Sequence, residues 1–172
     1  MIASVLLAKA AFLEGRDVQA FPFFGVERRG APVVAYTRVS RGPLRLTTSV
    51  VSPDSLIVMD PSLLTGLKGS LLKGLRPGGH VLLNAAKFPK GLEGSVGGTK
   101  IAFFDSGAIA LKHGLGSAAN PLVNTVVLGA FAKFTGLVGL ASLEKAIASK
   151  VPVQIEDNIA AAREAYVLME GP

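Results

Sequence analysis

Three short apolar runs constrain the fold of this chain more than any other feature. They are SLIVMD (55–60), HVLLNA (80–85) and TKIAFFD (99–105). Continuous apolar runs of this length are typical of parallel strands that are buried on both faces. Helical segments between such strands, of which 61–75 is one, indicate crossover connections. The sequence therefore predicts an α/β fold: a layered domain with a mostly parallel, mixed sheet flanked by helices.

Helices are predicted around this sheet. Apolar residues recur at helical spacing over 2–14, which predicts an amphipathic helix. Further helices are predicted over 120–135, 140–149 and 155–170. In the first of these, Asn120 is the expected N-cap and Pro121 the first helical residue. Because 172 residues suit one domain, we predict a single unit over 1–172.

Segments rich in β-branched residues predict one antiparallel hairpin. PVVAYTRVS (32–40) and PLRLTTSVV (43–51) both alternate in part between apolar and polar residues. Only the SRGP turn separates them, so the two segments are expected to pair with each other. A shorter run, DVQAF (17–21), is a further predicted strand.

Composition excludes several classes of chemistry. The chain has no cysteine, which rules out disulfides and cysteine-ligated iron–sulfur clusters within it. Its two histidines, His80 and His113, are far apart in sequence, so we expect neither a zinc site nor a catalytic histidine. The start lacks a basic signal region, and no long apolar run is free of charge. We therefore predict a cytoplasmic protein that binds no metal and no membrane.

The charge balance favours anionic partners. The formal net charge is +6, while only 17% of the residues are charged. A phosphorylated cofactor, an acidic protein and nucleic acid would all suit such a chain. Its basic residues are scattered rather than clustered, and no recognised nucleic-acid motif is present, so nucleic acid ranks last and is not expected as a partner.

The segment FPFFGVERRG (21–30) is the most unusual in the chain. An ordinary surface turn does not need Phe23 and Phe24, and a core strand cannot bury the three charged residues without dedicated partners. Gly25 and Gly30 flank those charges and permit close backbone approach. We expect a loop whose phenylalanines form either core contacts or an apolar docking patch.

This segment also resembles a known family. Residues 19–37, QAFPFFGVERRGAPVVAYT, resemble the gamma subunit of the 2-oxoacid:ferredoxin oxidoreductases, a module that is also domain III of the single-chain pyruvate enzyme. The resemblance continues through PDSLIVMDPSLL (53–64) and 120–147 into the last helix. Family members commonly open with a strand and a GxGGQG-type glycine turn. Neither is present here, so this chain is expected to begin after that element.

The resemblance implies a function within a complex. Such complexes oxidatively decarboxylate a 2-oxoacid, pass the acyl group to coenzyme A and pass the electrons to ferredoxin. Alpha, beta and ferredoxin-like delta subunits are the implied partners, and thiamine diphosphate, magnesium and the iron–sulfur clusters are implied on or with those other subunits. The gamma module is implied to bind no cofactor itself and to lie on the coenzyme A side. The isolated chain is expected to be inactive.

Given this resemblance, Arg28 and Arg29 are expected to face an anion at a subunit interface. A coenzyme A phosphate and a carboxylate of a partner chain both remain open, because the planar guanidinium group forms bidentate bonds with either. Glu27 is expected to orient an arginine, since two adjacent cations oppose the raised pKa that a general base needs. Asn120 is a further candidate, because the amides of a helix N-terminus suit phosphate.

A rival function is a stand-alone binding module for a phosphorylated metabolite or nucleotide. The glycine turns RPGGH (76–80) and GSVGGT (94–99) match neither the Walker A pattern nor the dinucleotide fingerprint, so they give it little support. Asp60 and Asp105 end apolar strands, where ligand crevices form in open sheets. We expect both to cap helices instead.

Overall fold

The computed structural model describes residues 1–23, 33–45, 48–60, 62–63, 72, 74–88 and 98–170. The strands are β1 (Asp17–Phe23), β2 (Val34–Ser40), β3 (Ser55–Val58), β4 (His80–Asn84), β5 (Lys100–Phe104), β6 (Gly116–Ser117) and β7 (Asn120–Pro121). The helices are α1 (Ile2–Leu13), α2 (Ser106–Lys112), α3 (Asn124–Thr135), α4 (Leu140–Lys150) and α5 (Ile155–Leu168).

The predicted parallel sheet is present. It has the order β3-β4-β5, and all its strands run parallel. The central residues of β4, Val81, Leu82 and Leu83, are fully buried, as the continuous apolar run predicted. The α/β class is therefore confirmed. Two thirds of the predicted helix 61–75 lie outside the described residues.

The antiparallel hairpin is present, but the predicted pairing was wrong. The strand β2 pairs with β1, in a register that runs from Asp17 opposite Ser40 to Phe23 opposite Val34. The described residues of 43–51 contain no strand. Side chains hold this segment instead: the amide of Leu44 donates to the Asp17 carboxylate. The alternation of apolar and polar residues over 43–51 is compatible with a strand. Tertiary contacts, and not the local sequence, decide whether this segment or β1 pairs with β2.

A buried layer of helices completes the core. Helix α3 is buried along nearly its whole length, with α5 against one side and α4 and α1 nearby. Gly129 of α3 lies so close to α5 that an added Cβ would overlap the carbonyl oxygen of Ala162. The backbone contact between these two helices therefore depends on this glycine. In the part of the chain that the structure describes, no helix is long and apolar enough to cross a membrane.

The predicted start of α3 was wrong. Asn120 and Pro121 form the short strand β7 against β6, and the helix begins only at Asn124, without a side-chain cap. Gly116, the first residue of β6, has a positive φ of 84°. The Leu122 amide then donates to the Leu115 carbonyl oxygen at 3.1 Å. An Asn-Pro pair suits a turn as well as a helix start. Here the Asn120 amide donates to the Ser117 hydroxyl within the β6–β7 turn.

Candidate functional site

The hairpin determines where the unusual segment sits in the fold. Strands β1 and β2 stay paired up to Phe23 and Val34, so residues 24–33 connect them at the end of the hairpin. Phe23 is the last residue of β1. The other candidates of this segment lie outside the described residues: Phe24, Gly25, Glu27, Arg28, Arg29 and Gly30. The hairpin itself is the described part of the candidate site.

One face of the hairpin carries aromatic rings and a guanidinium group. Phe21 lies opposite Tyr36 in the register, with their ring centroids 5.5 Å apart. The Arg38 guanidinium carbon lies 5.4 Å from the centroid of the Phe21 ring, within cation–π distance. All three side chains are half-buried. This arrangement stiffens the hairpin on the side opposite the core.

Arg38 also binds the segment that follows the hairpin. Its Nη2 donates to the Thr48 carbonyl oxygen at 2.5 Å and to the Ser49 carbonyl oxygen at 3.3 Å, and its Nη1 reaches the Gln19 side chain at 3.5 Å. The planar fork of arginine can contact all of these groups at once. Sequence reasoning missed this residue. Only the register of β1 and β2, which no local pattern fixes, shows what Arg38 faces.

The other face of the hairpin is fixed to the core. Val18 and Val39 pack against the buried helices. The Thr37 hydroxyl donates to the Ser4 carbonyl oxygen of α1 at 3.1 Å. The hairpin is thus attached on both faces, which gives the connection 24–33 a rigid base.

Asn120 is exposed and does not cap a helix. Its backbone amide donates to the Ser117 hydroxyl at 3.2 Å within the β6–β7 turn. Its carbonyl oxygen lies where a side chain on Gly116 would point. Asn120 therefore does not begin the helix whose N-terminal amides were the reason for predicting a phosphate contact there.

Asn84 and Asp105 lie at the carboxyl ends of the parallel strands and form hydrogen bonds with neighbouring backbone groups. Asn84 donates to the Met59 carbonyl oxygen at 2.9 Å and accepts from the Ser106 amide at 3.1 Å. Asp105 accepts from the Ala108 amide, so its predicted role as the cap of α2 is confirmed. These contacts tie β3, β4 and α2 together.

Asp60 lies at the same edge and makes a local turn. Its carboxylate accepts from the Ser62 amide at 2.9 Å. Hydrogen bonds from the side chain and the backbone of Ser62 hold the pKa of Asp60 below its ordinary value. The aspartate therefore satisfies backbone groups that follow β3, in agreement with a capping role.

A charged cluster joins α2 to α5. Glu164 accepts from Lys112 Nζ at 2.6 Å, and its other oxygen shares a hydrogen bond with His113 Nε2 at 2.7 Å. The bonds to Lys112 and His113 hold the pKa of Glu164 below its ordinary value. This arrangement is an ion-pair cluster. Among the described residues, no group of three or more histidine, aspartate or glutamate side chains could hold a metal ion.

Comparison with known proteins identifies the family. The model of the pyruvate ferredoxin/flavodoxin oxidoreductase family matches residues 1–168. The common gamma subunit of the pyruvate/ketoisovalerate oxidoreductases of Pyrococcus furiosus is 46% identical over 167 residues, which is 95% of this chain and 87% of the relative. Pyruvate synthase subunit PorC of Methanothermobacter thermautotrophicus is 44% identical over 169 residues, covering 98% and 88% of the two chains.

A solved structure agrees with these matches. The pyruvate oxidoreductase subunit PORC of Thermotoga maritima has a TM-score of 0.77 and 33% sequence identity, with 96% of this chain and 86% of that chain covered. The match includes the layered α/β arrangement described above. The chain therefore belongs to the pyruvate ferredoxin/flavodoxin oxidoreductase family and, within it, to the gamma subunits.

Proposed function

We propose that this gamma subunit contributes the end of its β1–β2 hairpin to the coenzyme A side of a 2-oxoacid:ferredoxin oxidoreductase. As a gamma subunit, the chain is one component of a multi-subunit oxidoreductase. The reaction of that complex is the oxidative decarboxylation of a 2-oxoacid to acyl-coenzyme A, with reduction of ferredoxin. The contribution of this chain is binding and positioning.

One observation carries the proposal: two adjacent arginines lie in the connection of a hairpin that is fixed on both faces. Thr37 attaches one face to α1, and Arg38 attaches the other to residues 48–49. Groups that are held by rigid elements bind a ligand at a lower entropic cost than groups on a free loop. The anchored hairpin therefore suits a precise contact at its end.

The chemistry of the segment suits an anionic ligand. Coenzyme A carries several phosphate charges, and Arg28 and Arg29 offer two guanidinium forks next to each other. A partner carboxylate would be recognised by the same groups. Phe23 and Phe24 supply apolar area next to the charges, and aromatic residues and arginine are both enriched at protein interfaces.

The remaining cofactors belong elsewhere in this proposal. Thiamine diphosphate, magnesium and the iron–sulfur clusters are assigned to the alpha, beta and ferredoxin-like delta subunits. For the clusters, this assignment agrees with the lack of cysteine in this chain. Decarboxylation to the thiamine-bound intermediate requires no coenzyme A. It should therefore be insensitive to changes in this hairpin, provided that the complex assembles.

Single substitutions of the two arginines test the proposal. Arg28→Ala or Arg29→Ala in the assembled complex should raise the KM for coenzyme A about ten- to a hundredfold, because a lost charge-assisted hydrogen bond costs about 1.5–3 kcal/mol. Steady-state kinetics at varied coenzyme A concentration provide the measurement. Arg41→Ala is the matched control, because Arg41 is exposed and follows β2 at the opposite end of the hairpin.

The kinetics also separate the two candidate anions. A contact with a partner carboxylate would lower the yield of assembled complex and leave the KM for coenzyme A unchanged. A double variant, Arg28→Ala with Arg29→Ala, that assembles normally and has wild-type coenzyme A kinetics would refute both forms of the proposal.

A further inference from the structure

Helix α1 is apolar on both of its sides. Its inner side is buried in the core through Ala3, Leu6, Leu7, Ala10 and Ala11. Its outer face consists of Ile2, Val5, Lys9, Phe12 and Leu13, and the four apolar members are 42–57% exposed. A surface helix normally carries polar residues on its solvent side, whereas a helix that is apolar all round is normally buried.

The outer face forms a continuous stripe. Successive positions are separated by three or four residues from Ile2 to Val5, Lys9 and Phe12, which places them along one side of a helix about 17 Å long. At its N-terminal end the stripe borders a groove that Met1, Ile2, Val5, Leu6 and Lys150 line. The groove lies between α1 and the end of α4.

Two lysines lie on or beside this stripe. Lys9 lies over the Phe12 ring, with Nζ 5.4 Å from its centroid, and Lys150 borders the groove. At the far end of α1, the carboxylate of Glu14 is engaged with Arg16 and with the Gly139 amide. Among the described residues of α1 itself, Lys9 is the one charged side chain.

We propose that the outer face of α1 is a docking surface for another protein subunit of the complex, one that presents an apolar ridge bordered by aspartate or glutamate. The apolar stripe supplies the contact area, and Lys9 and Lys150 pair with the acidic border. The inference uses no residue of the hairpin connection and does not depend on the assignment of coenzyme A.

Two other occupants fit the observations less well. In a twofold pair of identical chains the same patch meets itself, so the interface would hold the lysines of both copies and no acidic residue of the stripe to pair with them. Helices that lie on membranes carry a solvated, strongly charged face opposite the apolar one. The opposite side of α1 is buried in the protein core, so α1 does not have that character.

Charge insertion into the stripe tests the proposal. The full chain is co-expressed with the other subunits, and the amount of this chain that co-purifies with a tagged partner is measured. Val5→Glu should reduce the recovery at least tenfold. Val167→Glu is the matched control on the exposed side of α5, and its recovery should stay within twofold of wild type. Lys9→Glu with Lys150→Glu should also reduce recovery.

Hydrogen exchange of the unmodified chain gives a second test that does not depend on any variant folding. The amides of α1 should exchange at least tenfold more slowly in the assembled complex than in the free chain. Equal exchange in both states, or normal recovery of Val5→Glu, would overturn the proposal. So would a free-chain dimer that Val5→Glu dissolves, or sedimentation of the free chain with phosphatidylserine vesicles.

Discussion

Single side chains hold the hairpin in place. Arg38 joins three parts of the structure, since it covers Phe21, reaches Gln19 and donates to the carbonyl oxygens of residues 48–49. The planar guanidinium group presents several donors in a fixed geometry and so contacts two backbone acceptors at once. The ammonium group of a lysine has no such fixed fork. Arg38 therefore attaches residues 48–49 to the hairpin, while Asp17 holds Leu44 of the same segment.

Replacement of Arg38 should loosen this attachment. Arg38→Ala is expected to lower the free energy of unfolding by about 1–2 kcal/mol, because hydrogen bonds from a charged donor are lost at a half-buried position. Arg38→Lys should recover only part of the loss. Chemical denaturation measures both, with the exposed Arg45→Ala as control. Equal stability of Arg38→Ala and Arg45→Ala would show that the contacts contribute nothing.

The Glu164 cluster should make stability depend on pH. The pKa of Glu164 is lowered in the folded chain, so its contribution is fully present above the pKa of the unfolded chain and is lost as the pH falls through the folded pKa. Glu164→Gln should therefore be less stable than wild type at pH 7, and the difference should shrink below about pH 4. Melting temperatures between pH 7 and 3 give the measurement, with Glu170→Gln as control.

A constant difference between Glu164→Gln and wild type over this pH range would contradict that account. It would mean that the ion pair with Lys112 and the hydrogen bond with His113 are not the source of the effect, and that the substitution acts through packing of α5 instead.

The helices and strands differ in how far the sequence predicted them. Continuous apolar runs predicted β3, β4 and β5, and the burial on both faces expected of such runs is found in β4, whereas β5 leaves Phe103 exposed. The hairpin partner was predicted wrongly, since 17–21 and 43–51 are both compatible with pairing to β2 and register is a tertiary property. In α1, helical spacing of the apolar residues was correct but did not show which side is buried.

The candidate site was predictable only in part. The unusual composition of 21–30 marked the segment, and the strand pairing then put it at the end of a hairpin. Asn120 was predicted wrongly because the Asn-Pro pattern is shared by turns and helix starts. Arg38 gave no local signal, since its partners are a cross-strand residue and two distant carbonyl groups.

The contact between α3 and α5 should be sensitive to a single methyl group. Gly129→Ala would normally favour a helix by about 1 kcal/mol. Here the new Cβ overlaps the Ala162 carbonyl oxygen, so we expect a net loss of about 1–3 kcal/mol in unfolding free energy. Gly107→Ala in α2 is the control, because an added Cβ there meets its nearest neighbour at an ordinary 3.5 Å. A Gly129→Ala variant as stable as Gly107→Ala would contradict the close packing.

The chain as a whole combines a stable core with surfaces suited to assembly. Buried α3 and the parallel sheet form the core. The hairpin end and the outer face of α1 are two places where apolar groups accompany positive charge. A net charge of +6 favours association with acidic surfaces and with phosphorylated ligands alike. Both surfaces belong to a chain whose relatives are subunits of pyruvate and ketoisovalerate oxidoreductases.

Hydrogen exchange over residues 21–30 tests the central claim most directly. The free chain, the assembled complex and the complex with coenzyme A are compared, with peptides from the exposed end of α5 as the internal reference. We expect strong additional protection of 21–30 on assembly or on addition of coenzyme A, because the segment then contacts a partner or the cofactor. Equal protection in all three states would contradict the claim that this hairpin end works at an interface on the coenzyme A side.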